Sequence, residues 1–275
     1  MMTDFLESIR ELRKNCQALE KLLSAYEKNR AVPGLSPYVR ERELAKISAL
    51  AVALPDYAGK SRMNAWLAEE KKELEKSKDD FRFKFGQELK DLCAPDGFPV
   101  KGQYPLLRVG LYTLKLNFEF GAAELFFGPE IEKIKGGLPL DPATLAEFIK
   151  KYHRDLMAER FDPAAFGREL QAAYERRRAS AGKAANEKIP ILEVFRELVL
   201  ARQKPQFFID PKRENFQEYP RVRFAFELYR LRQANSPGLH LFTATFDATA
   251  DRKSALWVPD NEAGNGTYYS HLAFE

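Results

Sequence analysis

Three histidines, His153, His240 and His271, bound the acid–base chemistry open to this chain. His240 and His271 fall in hydrophobic stretches that alternate like strands, and two imidazoles on neighbouring strands can serve a phosphodiesterase as acid and base. The local words His240-Leu241-Phe242-Thr243 and His271-Leu272-Ala273-Phe274 lack the hydroxyl two residues after histidine that such enzymes use. Parity also counts against the pair. His240 is in step with Phe242 and Phe246, while His271 is out of step with Leu272 and Phe274. If those phenylalanines mark one core, the two rings face different ways. His153 lies in a helical stretch with no second ligand at a matching spacing.

The stretch Phe207-Phe208-Ile209-Asp210-Pro211-Lys212 reads as an apolar strand followed by an acid-x-lysine pair. In metal-dependent nucleases such an acid holds a divalent cation, and the lysine steadies the attacking water or the phosphate. Here Pro211 intervenes, and the preceding element is a helix bearing Glu193 and Glu197 rather than an acid-bearing strand. A turn started by Asp-Pro is the favoured reading; a nuclease using Asp210 and Lys212 is the alternative. Asp247 and Asp251 fall in one loop, Asp260 and Glu262 in the next, at opposite ends of a meander, so they do not share a metal. No phosphate loop, dinucleotide glycine pattern, nucleophile elbow or zinc spacing occurs. No catalytic residue, metal site or cofactor is assigned.

Basic clustering is the strongest remaining signal. Arg176, Arg177, Arg178 and Lys183 form one group; Lys212, Arg213, Arg221, Arg223, Arg230 and Arg232 form another, interleaved with Phe216, Tyr219 and Tyr229. Arg221 and Arg223 alternate with Val222 and Phe224, which on a strand points them away from the core. Guanidinium groups suit phosphates, and aromatics stack on unpaired bases. Arg176, Arg177, Arg178, Arg221, Arg223, Arg230 and Arg232 are therefore the candidate nucleic-acid contacts. Glu214, Glu218 and Glu227 dilute the cluster.

The elements that position these residues begin with a long apolar seam. Met2, Phe5, Ile9, Leu12, Cys16, Leu19, Leu23 and Tyr26 recur in steps of three and four, the seam of a bundle helix or a coiled coil. Pro33-Gly34 stops it. A second helix runs from Ser36-Pro37 to Leu54, buried nearly all round at ISALAVAL, and a third from about Ser61 to Leu92. The first and third, similar in length, are expected to pack antiparallel. Leu106–Phe127 marks a sheet of about three strands, with Leu114, Leu116, Phe118 and Phe120 on one face. Asp141-Pro142 and Asp162-Pro163 each open a helix, with aspartate as cap and proline at the first position. Ile189-Pro190 starts another. Phe207–Ile209 and Val222–Leu228 read as strands, with a phase slip at Tyr229 taken as a bulge or a change to helix. After a turn at Ser236-Pro237-Gly238, Leu239–Phe246, Ala255–Val258 and Thr267–Phe274 form a meander.

The fold class is α+β. A helical hairpin or coiled-coil-like region spans 1–94, a central antiparallel sheet with helices 95–181, and a C-terminal helix with an antiparallel meander 182–275. The charge of +4, from 44 basic and 40 acidic residues, requires no polyanionic partner. Two cysteines in helical patterns argue against a disulfide framework. The early charges leave no signal core, and no window reaches membrane-spanning length, which points to the cytoplasm without membrane contact. The function expected is a non-enzymatic accessory or adaptor subunit of a multiprotein assembly. It would associate with itself or a protein partner through the N-terminal helices, and would touch nucleic acid in a bacterial DNA-handling or defence setting.

Overall fold

In the computed structural model, helix α1 spans Met2–Arg30, α2 Pro37–Ala53 and α3 Lys60–Cys93. The structure describes residues 2–32, 34–57, 59–130, 132–158, 160–234, 238–251 and 253–275. Pro33 of the expected helix stop, Ser236 and Pro237 of the expected turn, and Arg252 in the loop before the last two strands lie outside the described residues. The chain divides into two compact units. The first comprises Met1–Asp91 with the short pieces Asn117–Ala122 and Pro139–Thr144; the second holds the rest.

In the first unit the core gathers Leu19 and Tyr26 of α1, Leu44, Ile47 and Ala51 of α2, and Leu67 and Leu74 of α3. Tyr26 stacks edge-on against Trp66 and donates to Glu70 at 2.8 Å; one turn on, Arg30 pairs with Glu70 and Glu73. Contacts that advance together along both helices mean that α1 and α3 run in the same direction. The expected antiparallel pairing of these two helices is thus corrected. Two short connections in succession reverse the chain twice, so α2 is the antiparallel partner of both. Its Asn29–Glu43 and Lys60–Leu54 hydrogen bonds mark its two ends. Pro37 takes a first-turn position of α2, while the Ser36 hydroxyl donates to the Leu140 carbonyl.

The second unit opens with strands β1 (Val100–Gln103), β2 (Leu106–Val109), β3 (Tyr112–Asn117), β4 (Ala122–Phe127) and β5 (Glu132–Pro139), an antiparallel meander in sequence order. The sheet is wider than the expected three strands. Leu114 and Leu116 are buried as expected, but β3 ends at Asn117, whose side chain accepts from the amides of Glu119 and Phe120. That Asx turn leaves Phe120 exposed, not on the core face. Helices α4 (Pro142–Ala158) and α5 (Pro163–Ser180) follow. The expected aspartate caps are present: Asp141 accepts from Thr144, and Asp162 from Ala164 and Ala165. On α4, His153 Nδ1 lies 3.0 Å from the buried Tyr112 hydroxyl, with Phe98 edge-on to the ring. Burial pushes the His153 pKa down, so this imidazole is a neutral packing group.

The chain continues through β6 (Ile189–Pro190), α6 (Ile191–Ala201), α7 (Pro205–Ile209), α8 (Arg221–Gln233), β7 (Leu239–Thr243), α9 (Phe246–Ala250), β8 (Leu256–Pro259) and β9 (Gly266–Phe274). Strand β9 is flanked by β6 and β7 and also pairs with β8; β7 pairs with β9 rather than β8, so the last three strands form an antiparallel sheet but not the expected meander. Two further expectations are corrected here. Phe207–Ile209 is a helical turn, begun by Pro205. Residues 221–233 form a helix rather than a strand, buried continuously from Phe224 to Tyr229. A helix enclosed on nearly all sides loses its polar stripe, and chance alternation then mimics a strand.

Candidate interaction surface

Helix α1 is built in two halves. Its second half is seated in the three-helix core. In its first half the same seam faces solvent: Met2 is 81% exposed, Phe5 66%, Ile9 61% and Leu12 39%, with Leu6 beside them. The reason is length. The turn between α2 and α3 closes the bundle at Leu54–Tyr57, opposite the middle of α1, whose first eleven or so residues run on by about 15 Å at 1.5 Å per residue. Nothing in the described part of this unit covers them.

The exposed stripe leads into an open groove of about 660 Å³ lined by Leu12, Cys16, Leu23, Leu54, Tyr57 and Trp66, among others. Leu12 and Cys16 belong to both, so stripe and groove are one apolar surface. Its borders are charged. Arg10 and Arg13 sit one turn after Leu6 and Ile9, next to the stripe; Glu20 and Glu27 stand on the rim of the groove. These four charges have no ion pair among the described residues, whereas Arg30, also on the rim, is held by Glu70 and Glu73.

The arginines singled out from the sequence lie in the second unit, and most are held internally. Arg177 binds Glu193 at 2.6 Å, and Arg178 binds Glu175 at 2.7 Å and the Lys183 carbonyl. Arg221 meets Glu132 at 2.6 Å, Arg223 meets Glu227 at 3.0 Å, and Arg232 meets Asp260 at 2.9 Å. Arg230 lies over the Phe161 ring at 4.4 Å. Arg176 is exposed and has no carboxylate partner among the described residues. The inference that Arg221 and Arg223 point away from the core depended on a strand. On α8 they turn inward to buried carboxylates instead.

Glu227 is the centre of the densest polar cluster. It accepts from the Tyr219 hydroxyl at 2.5 Å and also faces Arg202 at 3.3 Å. Arg202 lies 4.1 Å from the Tyr219 ring centre and binds Glu169. Burial pushes the Tyr219 phenol up, and the Glu227 charge adds to it. Burial opposes the charge on Arg202, but Tyr219, Glu227 and Glu169 outweigh it and raise its pKa. Two cations balanced by two anions make a structural clamp.

The histidine parity argument is overturned. Phe242 pairs with His271 and His240 with Ala273, and directly opposed residues of antiparallel strands share a face. His240 and His271 are therefore diagonal neighbours on one side of the sheet. The error lay in the premise: Phe242 and Phe246 are exposed, and the core face is that of Leu272 and Phe274. His271 Nδ1 is 2.9 Å from Ser270 Oγ, while His240 faces Glu275 at 3.3 Å. Burial, then Lys188 and Lys183, lower the His271 pKa. Asp210 pairs with Lys212 at 2.7 Å at the end of the helical turn α7, so the strand end required by the nuclease arrangement is missing. Among the described residues no three His, Cys, Asp or Glu side chains are grouped to hold a metal.

No family model, curated protein or solved structure matches this chain. The surface of α1 must therefore be weighed on its own chemistry. Among the described residues no helix is long and apolar enough to cross a membrane. The seam itself was readable in the sequence, since every third or fourth residue is apolar. Which half would be left uncovered was not, because that depends on where the turn after α2 meets α1.

Proposed function

We propose that this chain is a non-enzymatic interaction subunit that docks through the first half of α1. The observation that carries the reading is the continuous exposure of Met2, Phe5, Leu6, Ile9 and Leu12 on a helix whose second half is a core element. The stripe leaves on the order of 500 Å² of apolar surface in water, at the upper end of what an isolated protein exposes without a binding role. It is also regular, with the heptad spacing by which helices recognise helices. Internal pairing of Arg221 and Arg223 speaks for the α1 surface ahead of a nucleic-acid surface on α8, because a guanidinium already neutralised by a buried carboxylate releases few counterions from a phosphate chain.

Site-specific photo-crosslinking in native cells tests the reading. A photoreactive side chain at Leu6, on the stripe, should trap a protein at high yield. The same group at Glu7, on the opposite face of the helix, should trap little. Equal yields at the two positions, or none at Leu6, contradict the reading.

A further inference from the structure

We propose that the occupant of the α1 surface is a second copy of the same chain, with two α1 helices crossing antiparallel about a twofold axis near position 14. This rests on the reading of α1 as a docking helix and names its partner. The seam is self-complementary under that operation. Leu12 comes level with Cys16 of the second copy, Ile9 with Leu19, Phe5 with Leu23 and Met2 with Tyr26. The overhanging half of each α1 then lies along the groove of the other, beside Cys16, Leu23 and Trp66. Each three-helix bundle gains the fourth helix that its groove lacks.

Area and charge both favour this occupant. Two stripes seated in two grooves remove on the order of 2,000 Å² in total, within the range of stable dimers. Because the twofold repeats the contact, one apolar stripe and one apolar groove per chain are both covered. The borders match as well. Arg10 comes level with position 18 of the second copy, within a turn of its Glu20. The unpaired Arg10 beside the stripe thus meets the unpaired Glu20 beside the groove.

Sedimentation of the full chain tests the proposal. Wild type should be a dimer at roughly 100 μM, where a micromolar association is complete. Ile9→Asp should weaken it by at least about a hundredfold, since it buries an unpaired charge, while near-UV circular dichroism from the Tyr26–Trp66 contact persists. Reversing Arg10 to glutamate should weaken the dimer, and reversing Glu20 to arginine in the same chain should restore it. A wild-type monomer at this concentration overturns the second-copy assignment and leaves the docking reading to its crosslinking test. A dimer unmoved by Ile9→Asp also overturns the second-copy assignment, since the contact then lies elsewhere. Loss on the first reversal without recovery on the second overturns the antiparallel alignment.

Discussion

Replacing Arg221 with glutamine is expected to lower the free energy of unfolding by about 3–5 kcal/mol, the cost of breaking a buried ion pair by removing one partner. Its partner Glu132 keeps only 3% of its side-chain surface exposed, and Arg221 itself 16%; they meet at 2.6 Å. Arg221 also donates to the Ala255 carbonyl at 2.9 Å, so the substitution removes charge and geometry together. Urea unfolding followed by tryptophan fluorescence measures the loss as a shift in midpoint. Replacing both partners by neutral residues should recover part of it, since no uncompensated charge is then left inside. A loss below about 1 kcal/mol, the value of an exposed pair, would show that Arg221 is solvated.

Glu227→Ala is the second large effect. It removes the carboxylate that Arg202 and Arg223 share, and it strips Tyr219 of its acceptor. A loss of about 3–5 kcal/mol follows from breaking a buried charge cluster on one side. Urea unfolding measures the loss as a shift in midpoint. A loss below about 1 kcal/mol, the value of an exposed pair, would show that Glu227 is solvated rather than shared by the two guanidiniums and the Tyr219 hydroxyl.

The same cluster shows where the sequence was legible. Elements with a local signal were read closely: α2 and α3 fall within a few residues of their expected bounds, and the two helices opened by aspartate and proline start at those prolines. Amphipathic periodicity and caps are local properties, and a local reading reaches them. Helix α8 was not legible, because a helix buried on most faces shows no polar stripe, and its alternating Val222, Phe224, Phe226 and Leu228 fit a strand equally well. That single misreading reversed the direction assigned to Arg221 and Arg223. The histidines failed differently. Both strands were foreseen, but register requires knowing which residues face the core, and the exposed Phe242 and Phe246 misled that choice. For α1 the helix and its seam were plain; the overhang arises from the length of α2, a relation between elements that no single stretch of sequence carries.

Amide hydrogen exchange along α1, followed at increasing protein concentration, tests the central claim most directly. Leu19–Tyr26 should be protected at every concentration, because this half is seated in its own bundle. Amides of residues 5–12 should exchange quickly in dilute solution and slow markedly as the helix docks. Rapid exchange of residues 5–12 that is indifferent to concentration would contradict the account. So would protection of the two halves that is equal and independent of concentration, since the stripe would then be covered within its own chain.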